Sequence, residues 1–306
     1  MSKGKVYVIA GPTASGKSAV AYYLAKRING EIVNCDSIQL YKQMDIGSAK
    51  PSPEMMADVP HHLFSIVDPD FNMSVAKYQE LAFACLDNIL ARGKTPIVVG
   101  GTGLYINSLL YKMDFAGNQD DGTRRAELEQ MAEEMGSDYM YTYLQGIDPE
   151  SAERIHPNNV RKVIRAIEAF ELGDGIKSLD ECEKNTDYDF VFCALNMERE
   201  WLYEIINNRV INLLNMGLID EVKALKANGY TVDMPSMKGI GYKEVFAYLD
   251  GELDADTLVE EIQKDTRRYA KRQMTWFKRY NDINWIDVPK EVSVGELVDK
   301  IIAAGN

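Results

Sequence analysis

Short apolar runs alternate with longer amphipathic stretches through the first hundred residues. Val6–Ala10, Glu31–Cys35 and Pro96–Gly100 are Val- and Ile-rich segments of strand length, and Ser18–Ile28 and Val75–Arg92 repeat apolar residues at helical spacing. This alternation predicts an α/β fold, a parallel sheet with flanking helices. After Met113 the texture changes. Phe115–Gly122 is polar and turn-rich, and Thr123–Met135, Ser137–Leu144 and Val160–Glu171 then read as helices with no strand among them. Phe190–Leu195 returns to strand, followed by two long helical patterns, Glu200–Asn228 and Asp254–Arg279, and a last strand at Asn284–Val288. The expected architecture is a parallel-sheet core over 1–115 and 190–306, interrupted by a small all-helical insertion domain over 116–189. No internal repeat or low-complexity tract is visible.

Composition changes this picture little. At 306 residues, 46% hydrophobic and 26% charged, the chain can bury a large core, and disorder is excluded as the default. No apolar run approaches the roughly 20 residues of a membrane helix. The first strand begins so soon after Met1 that a signal peptide has no room, so cytoplasm is the expected location. Cys35, Cys85, Cys182 and Cys193 lack zinc or redox spacing and are expected as buried reduced thiols. The fourteen methionines are expected to fill core gaps.

Charge is more informative in its distribution than in its sum. A net charge of −13 argues against a polyanionic partner. Yet Lys264–Arg279 holds seven basic residues against one acidic, with Tyr269, Trp276 and Phe277 interleaved. Such a helix is either a nucleic-acid surface or a solvated face whose aromatics pack inward.

The chemistry is written most plainly at Gly11-Pro-Thr-Ala-Ser-Gly16-Lys17-Ser18, a complete G-x-x-x-x-G-K-S phosphate loop between the first strand and the first helix. Its backbone N–H groups and the helix N-terminus cradle an anion, Lys17 adds a charge for the outer phosphates, and the Ser18 hydroxyl suits Mg²⁺. The strand Pro96–Thr102 ends in glycines and a threonine, where a nucleoside triphosphatase would place a metal-holding aspartate. The carboxylate stands instead at Asp36. Carboxyl ends of neighbouring parallel strands share a crevice, so Asp36 and Thr102 are expected to face the loop. At this level Asp36 has three open roles: metal ligand, general base or helix N-cap. A small-molecule kinase and a non-catalytic RNA-binding module also remain open. His61 and His62 are expected as structural hydrogen-bonders in a turn after Pro60, and His156 as a turn or cap before the following helix.

Taken in order, the phosphate loop, Asp36–Pro51, Pro60-His-His-Leu63, Val99–Tyr105, Arg154–Asn159, Lys238–Lys243 and Ala270–Trp276 resemble the tRNA dimethylallyltransferase (tRNA isopentenyltransferase) family over nearly the whole chain. The resemblance implies a P-loop-containing sheet that grips a leaving diphosphate instead of hydrolysing ATP. It implies transfer of a dimethylallyl group from dimethylallyl diphosphate to N6 of adenosine 37 in the tRNA anticodon loop, with Mg²⁺ as cofactor and a monomer as the expected working unit. Asp36 corresponds to the general base and Thr102 to a partner that orients the base or the diphosphate. Gly11, Thr13, Ala14, Ser15, Gly16, Lys17 and Ser18, with Arg209, correspond to the diphosphate site. Contacts to tRNA are implied for Asp36, Ser37, Ile38, Gln39, Thr102, Arg124, Arg161, Lys162, Arg165, Lys238, Lys243 and Arg272. Two residues depart from the family pattern: Ile205 stands where an arginine is common, and Gln43 where a glycine is common. The C-terminus lacks the zinc-finger extension of eukaryotic relatives, which implies a bacterial type.

Overall fold

The computed structural model of the chain describes residues 2–113, 123–171 and 179–306. The polar stretch expected at Phe115–Gly122, and with it the expected boundary at 115/116, lies outside the described residues. Two compact units emerge: Met1–Leu110 with Asn185–Asn306, and Tyr111–Lys184.

In the first unit, β1 (Lys5–Ala10) leads through the phosphate loop into α1 (Lys17–Ile28) and β2 (Gly30–Asn34). Next come α2 (Pro53–Asp58), β3 (His61–His62), α3 (Val75–Ala91), β4 (Thr95–Val99) and α4 (Gly103–Leu110). The second unit contains α5 (Thr123–Met135), α6 (Ser137–Ile147), α7 (Pro149–Arg154) and α8 (Val160–Glu171). The chain then returns as β5 (Asp189–Asn196), α9 (Arg199–Asn215), α10 (Leu218–Ala227), α11 (Tyr242–Leu249), α12 (Ala255–Phe277), β6 (Asn284–Asp287) and α13 (Val294–Ala304).

All strand pairs are parallel and the order is β3-β2-β4-β1-β5-β6. Side chains alternate between the two faces of a strand, and both sets on β1 are buried, so the sheet is covered on both sides. On one side Tyr7, Ile9, Ile97 and Cys193 pack with Val20 and Leu24 of α1 and Leu297 and Ile301 of α13. The helix α3 lies against β2 and β4. In the second unit, Leu128, Met140, Leu144, Val163 and Ile167 close a core of its own.

Three local expectations are corrected. The single pattern Glu200–Asn228 is two helices, because Gly217 adopts φ 102 between them, a left-handed turn that ends α9 and starts α10. His61 and His62 form the short edge strand β3 on β2 instead of a turn. None of the four cysteines is in a disulfide, but only Cys35 and Cys193 are buried, while Cys85 and Cys182 are half-buried. Gln43, at φ 62, accepts the left-handed strain that a glycine would avoid, and its side chain takes a hydrogen bond from Asn228 (3.0 Å).

His62 has a structural partner. Buried Glu31 accepts from Arg92 Nη2 at 2.7 Å and meets His62 Nε2 at 2.7 Å, closing the sheet edge. Hydrogen bonding to Arg92, opposed by burial and helped by His62, holds the Glu31 carboxyl down at about 2 from 4.5. A carboxyl depressed in the folded state contributes stability in full above its unfolded value, and that contribution disappears as pH falls through the folded one. Wild-type protein should therefore lose stability between pH 4.5 and about 2 more steeply than Glu31→Gln in chemical denaturation. At neutral pH, Arg92→Ala should cost about 1–3 kcal/mol by stranding the buried carboxylate.

Candidate active site

The sheet order explains the site. Because β2, β4 and β1 are adjacent and parallel, with Asn34 opposite Val99 and Val99 opposite Ile9, their carboxyl ends open side by side. The segments that follow them are Asp36–Gln39, Gly100–Thr102 and the phosphate loop.

Within the phosphate loop, Ala14 stands at φ 66 and Gly16 at φ 85, which curls the backbone ahead of α1. Gly16, as N-cap, supplies no side-chain hydrogen bond to the helix start, so the first amides of α1 keep their donor capacity for an anion. Ser15 Oγ is buried with no hydrogen-bond partner. Lys17 Nζ donates to the Pro12 carbonyl (2.7 Å). Burial lowers the Lys17 amine to about 7, with Asp36 opposing the fall and Arg209 adding to it. Burial likewise lowers Arg209, and Asp36 again opposes. Lys17 and Arg209 are therefore poorly hydrated, with Asp36 near both.

Asp36 is fixed by its own turn. Its Oδ1 accepts the Ile38 N–H (2.9 Å) and, more weakly, the Gln39 N–H (3.4 Å), while its backbone N–H donates to Asn34 Oδ1 (2.9 Å). The helix N-cap considered for Asp36 is not what forms, since the residues after it make a turn and the next helix is α2; one carboxylate oxygen closes that turn instead, which orients the side chain and leaves the other oxygen for chemistry. Thr102 Oγ1 accepts the Ser37 N–H (3.0 Å), and the Thr102 N–H donates to the Cys35 carbonyl (3.3 Å), tying the β4 end to this turn.

Thr13, Asp36, Ser37, Ile38 and Arg209 line one cavity of about 320 Å³. Its wall also carries the aliphatic side chains of Ile206, Val210, Leu213, Leu218, Ile240 and Ile262. Lys238 and Arg272 also line it, and the Arg272 guanidinium lies over the Tyr269 ring at 5.6 Å. The departure at Ile205 leaves α9 with Arg209 as its cavity-lining charge.

Other expected contacts are already engaged. Gln39 Nε2 donates to the Ser48 and Ala49 carbonyls (2.9 and 3.2 Å), and Lys243 pairs with Asp265 (2.6 Å) and Glu244 (3.3 Å). In the second unit, Arg124 pairs with Glu171 (2.7 Å) and Glu127 (2.9 Å), and Arg165 with buried Glu168 (2.9 Å). Arg161 and Lys162 are exposed on α8. His156 Nδ1 accepts the Asn158 N–H (3.2 Å), fixing the turn before α8.

Residues that pattern reading passed over hold the walls in place. Glu221, near the start of α10, accepts from the backbone N–H groups of Asp45, Ile46 and Gly47 (2.8, 2.7 and 3.0 Å) and from the Tyr242 hydroxyl (2.8 Å). Gln273 of α12 reaches two of the strand-end loops at once. In the sequence each is one polar residue on an amphipathic helix, with no spacing signal to single it out.

Comparison with known proteins places the chain in a family. The IPP transferase family model matches residues 39–280, and the isopentenyl transferase model matches 4–64. The chain is 46% identical over 293 residues to a tRNA dimethylallyltransferase of Alkaliphilus metalliredigens, covering 95% of this chain and 94% of that one. It is similar to the crystal structure of a full-length tRNA isopentenylpyrophosphate transferase from Bacillus halodurans, with TM-score 0.73, 40% identity and coverage of 98% and 96%. A eukaryotic dimethylallyltransferase captured acting on tRNA is similar at TM-score 0.78 and 29% identity, covering 93% of this chain and 74% of that one.

The depressed Lys17 amine gives the site a measurable signature. An anion in the loop favours the ammonium, so binding above about pH 7 draws a proton onto Lys17, and anion affinity weakens as pH rises through that value. Calorimetry of pyrophosphate binding at about pH 8, in buffers of different ionisation enthalpy, should show wild type taking up close to one proton more than Lys17→Met. Equal uptake by the two proteins would rule this linkage out.

Proposed function

The chain belongs to the IPP transferase family, and on that premise we propose that it transfers a dimethylallyl group from dimethylallyl diphosphate to N6 of adenosine 37 in the tRNA anticodon loop, releasing diphosphate. The observation that carries this reading is one cavity lined by Thr13 of the phosphate loop, by Asp36 and Arg209, and by a set of aliphatic side chains. A diphosphate bearing a short apolar tail matches that combination, with Ile206, Val210, Leu213, Leu218 and Ile262 available to the tail.

The exocyclic amine of adenine is a weak nucleophile because its lone pair is delocalised into the ring. As the new C–N bond forms and the allylic C–O bond breaks, the amine loses a proton and the diphosphate gains negative charge. The free oxygen of Asp36 accepts the proton, with the side chain held by the Ile38 N–H and the turn backed by Thr102. Loop amides, Lys17 and Arg209 stabilise the departing anion in a poorly hydrated site, where preorganised charge is most effective. The Ser18 hydroxyl is the hard oxygen donor that would hold a Mg²⁺ shared with the diphosphate. When bound, that ion would neutralise leaving-group charge.

The target adenine has to leave its stack to enter the cavity, at a cost of a few kcal/mol that is smaller in a single-stranded loop. Basic side chains offset this cost through phosphate contacts. Lys238 and Arg272 at the cavity, Lys271, Lys278 and Arg279 exposed on or just after α12, and Arg161 and Lys162 in the second unit are the residues assigned to that role.

Incubation with radiolabelled dimethylallyl diphosphate and unmodified tRNA should place label in the RNA. ATP consumption without label in RNA would favour the kinase. Asp36→Asn keeps the turn-capping oxygen and removes the base, so its single-turnover rate should fall about 10²- to 10⁴-fold while tRNA affinity stays within about twofold. A near-normal rate in that variant would refute the assignment of Asp36 as base.

A further inference from the structure

Gln273 is a polar side chain where the pattern of α12 calls for an apolar one. It lies between Ala270 and Phe277 on the buried face of the helix and is itself only 4% exposed. Its Oε1 accepts the Thr13 backbone N–H at 2.7 Å, and its Nε2 donates to the Gly101 carbonyl at 2.9 Å. A donor on one side and an acceptor on the other permit only this orientation of the amide. The two loops so joined follow β1 and β4, and the helix that joins them lies 260 and 172 residues further along the chain.

Space at this point is matched as closely as the hydrogen bonds. A Cβ on Gly101 would overlap Gln273 Nε2. Thr13 lines the cavity on the diphosphate side, while the residue after Gly101 is Thr102, whose hydroxyl and amide hold the turn that aims Asp36. The Gln273 amide therefore spans the gap between the anion cradle and the platform of the base.

We infer that Gln273 is a positioning residue for group transfer, setting the distance between the phosphate loop that holds the leaving group and the Thr102–Asp36 turn that receives the proton. This role rests on the transfer reaction proposed above. Gln273 does not touch the reacting atoms. Its effect is on alignment, to which reaction rates are steeply sensitive, since displacements near 1 Å can cost about 10²-fold.

The test is a kinetic split on full-length protein. Gln273→Met keeps length and volume but breaks both hydrogen bonds. Its single-turnover rate at saturating dimethylallyl diphosphate and tRNA should fall about 10- to 100-fold, while the tRNA dissociation constant stays within about twofold. A purely structural role would instead lower the melting temperature and weaken tRNA binding in step with activity. A double-mutant cycle gives a second readout. Gly101→Ala should impair wild type by displacing the amide, yet add little to Gln273→Ala, whose short side chain leaves the methyl room. An active wild type whose Gln273→Met variant keeps its single-turnover rate, or strictly additive losses in the cycle, overturns the positioning role alone. A wild type that transfers no label overturns the role and the reaction together.

Discussion

The site depends on the close approach of two chain segments at the ends of β2 and β4. A Cβ on Gly100 would overlap the carbonyl of Cys35, so at this point backbone packs directly on backbone. That contact lets the Thr102 amide reach the Cys35 carbonyl and the Thr102 hydroxyl reach the Ser37 amide. The turn carrying Asp36 is thereby bound to β4, and β4 neighbours the strand that feeds the phosphate loop. A side chain at position 100 would part the strand ends and separate the carboxylate from the anion cradle.

Around this junction the protein spends folding stability on charge placement. Lys17 and Arg209 are partly desolvated beside each other, and the lowered value of each shows that Asp36 only partly compensates. Such clusters of shifted groups are characteristic of sites whose missing partner is a ligand. The loop backbone points the same way, with Ala14 in the left-handed region and Ser15 Oγ buried without a partner. Elsewhere the same physics is resolved internally. Glu31 is closed by Arg92 and His62, and Glu168 by Arg125 and Arg165, so those charges stabilise edges and helices instead of awaiting a ligand.

The helices after the second unit supply a third constraint. Glu221 gathers three consecutive amides of the 45–47 segment, and the Tyr242 hydroxyl joins Glu221 to the Ser48 amide. Together with Gln273, these side chains turn loops that would otherwise be mobile into fixed walls. Polar residues on α10, α11 and α12 thus set the shape of the cavity, while neighbouring aliphatic residues line it.

The sequence alone determined the layout that local chemistry dictates. Apolar runs at strand length, the glycines and lysine of the phosphate loop, the break in texture after Met113 and the basic aromatic-bearing helix each encode their own conformation or charge within a few neighbours. Asp36 and Thr102 could be placed at one crevice because the ends of parallel strands are forced to share it. The tertiary structure alone decided what depends on distant pairs: the break at Gly217 within a continuous helical pattern, the pairing of His62 with Glu31, the ion pairs that engage Lys243 and Arg124, and the bridge from Gln273 to Thr13 and Gly101. A hydrogen bond across 260 residues leaves no periodicity in the chain, because its geometry is created only when the helix docks against the ends of the sheet.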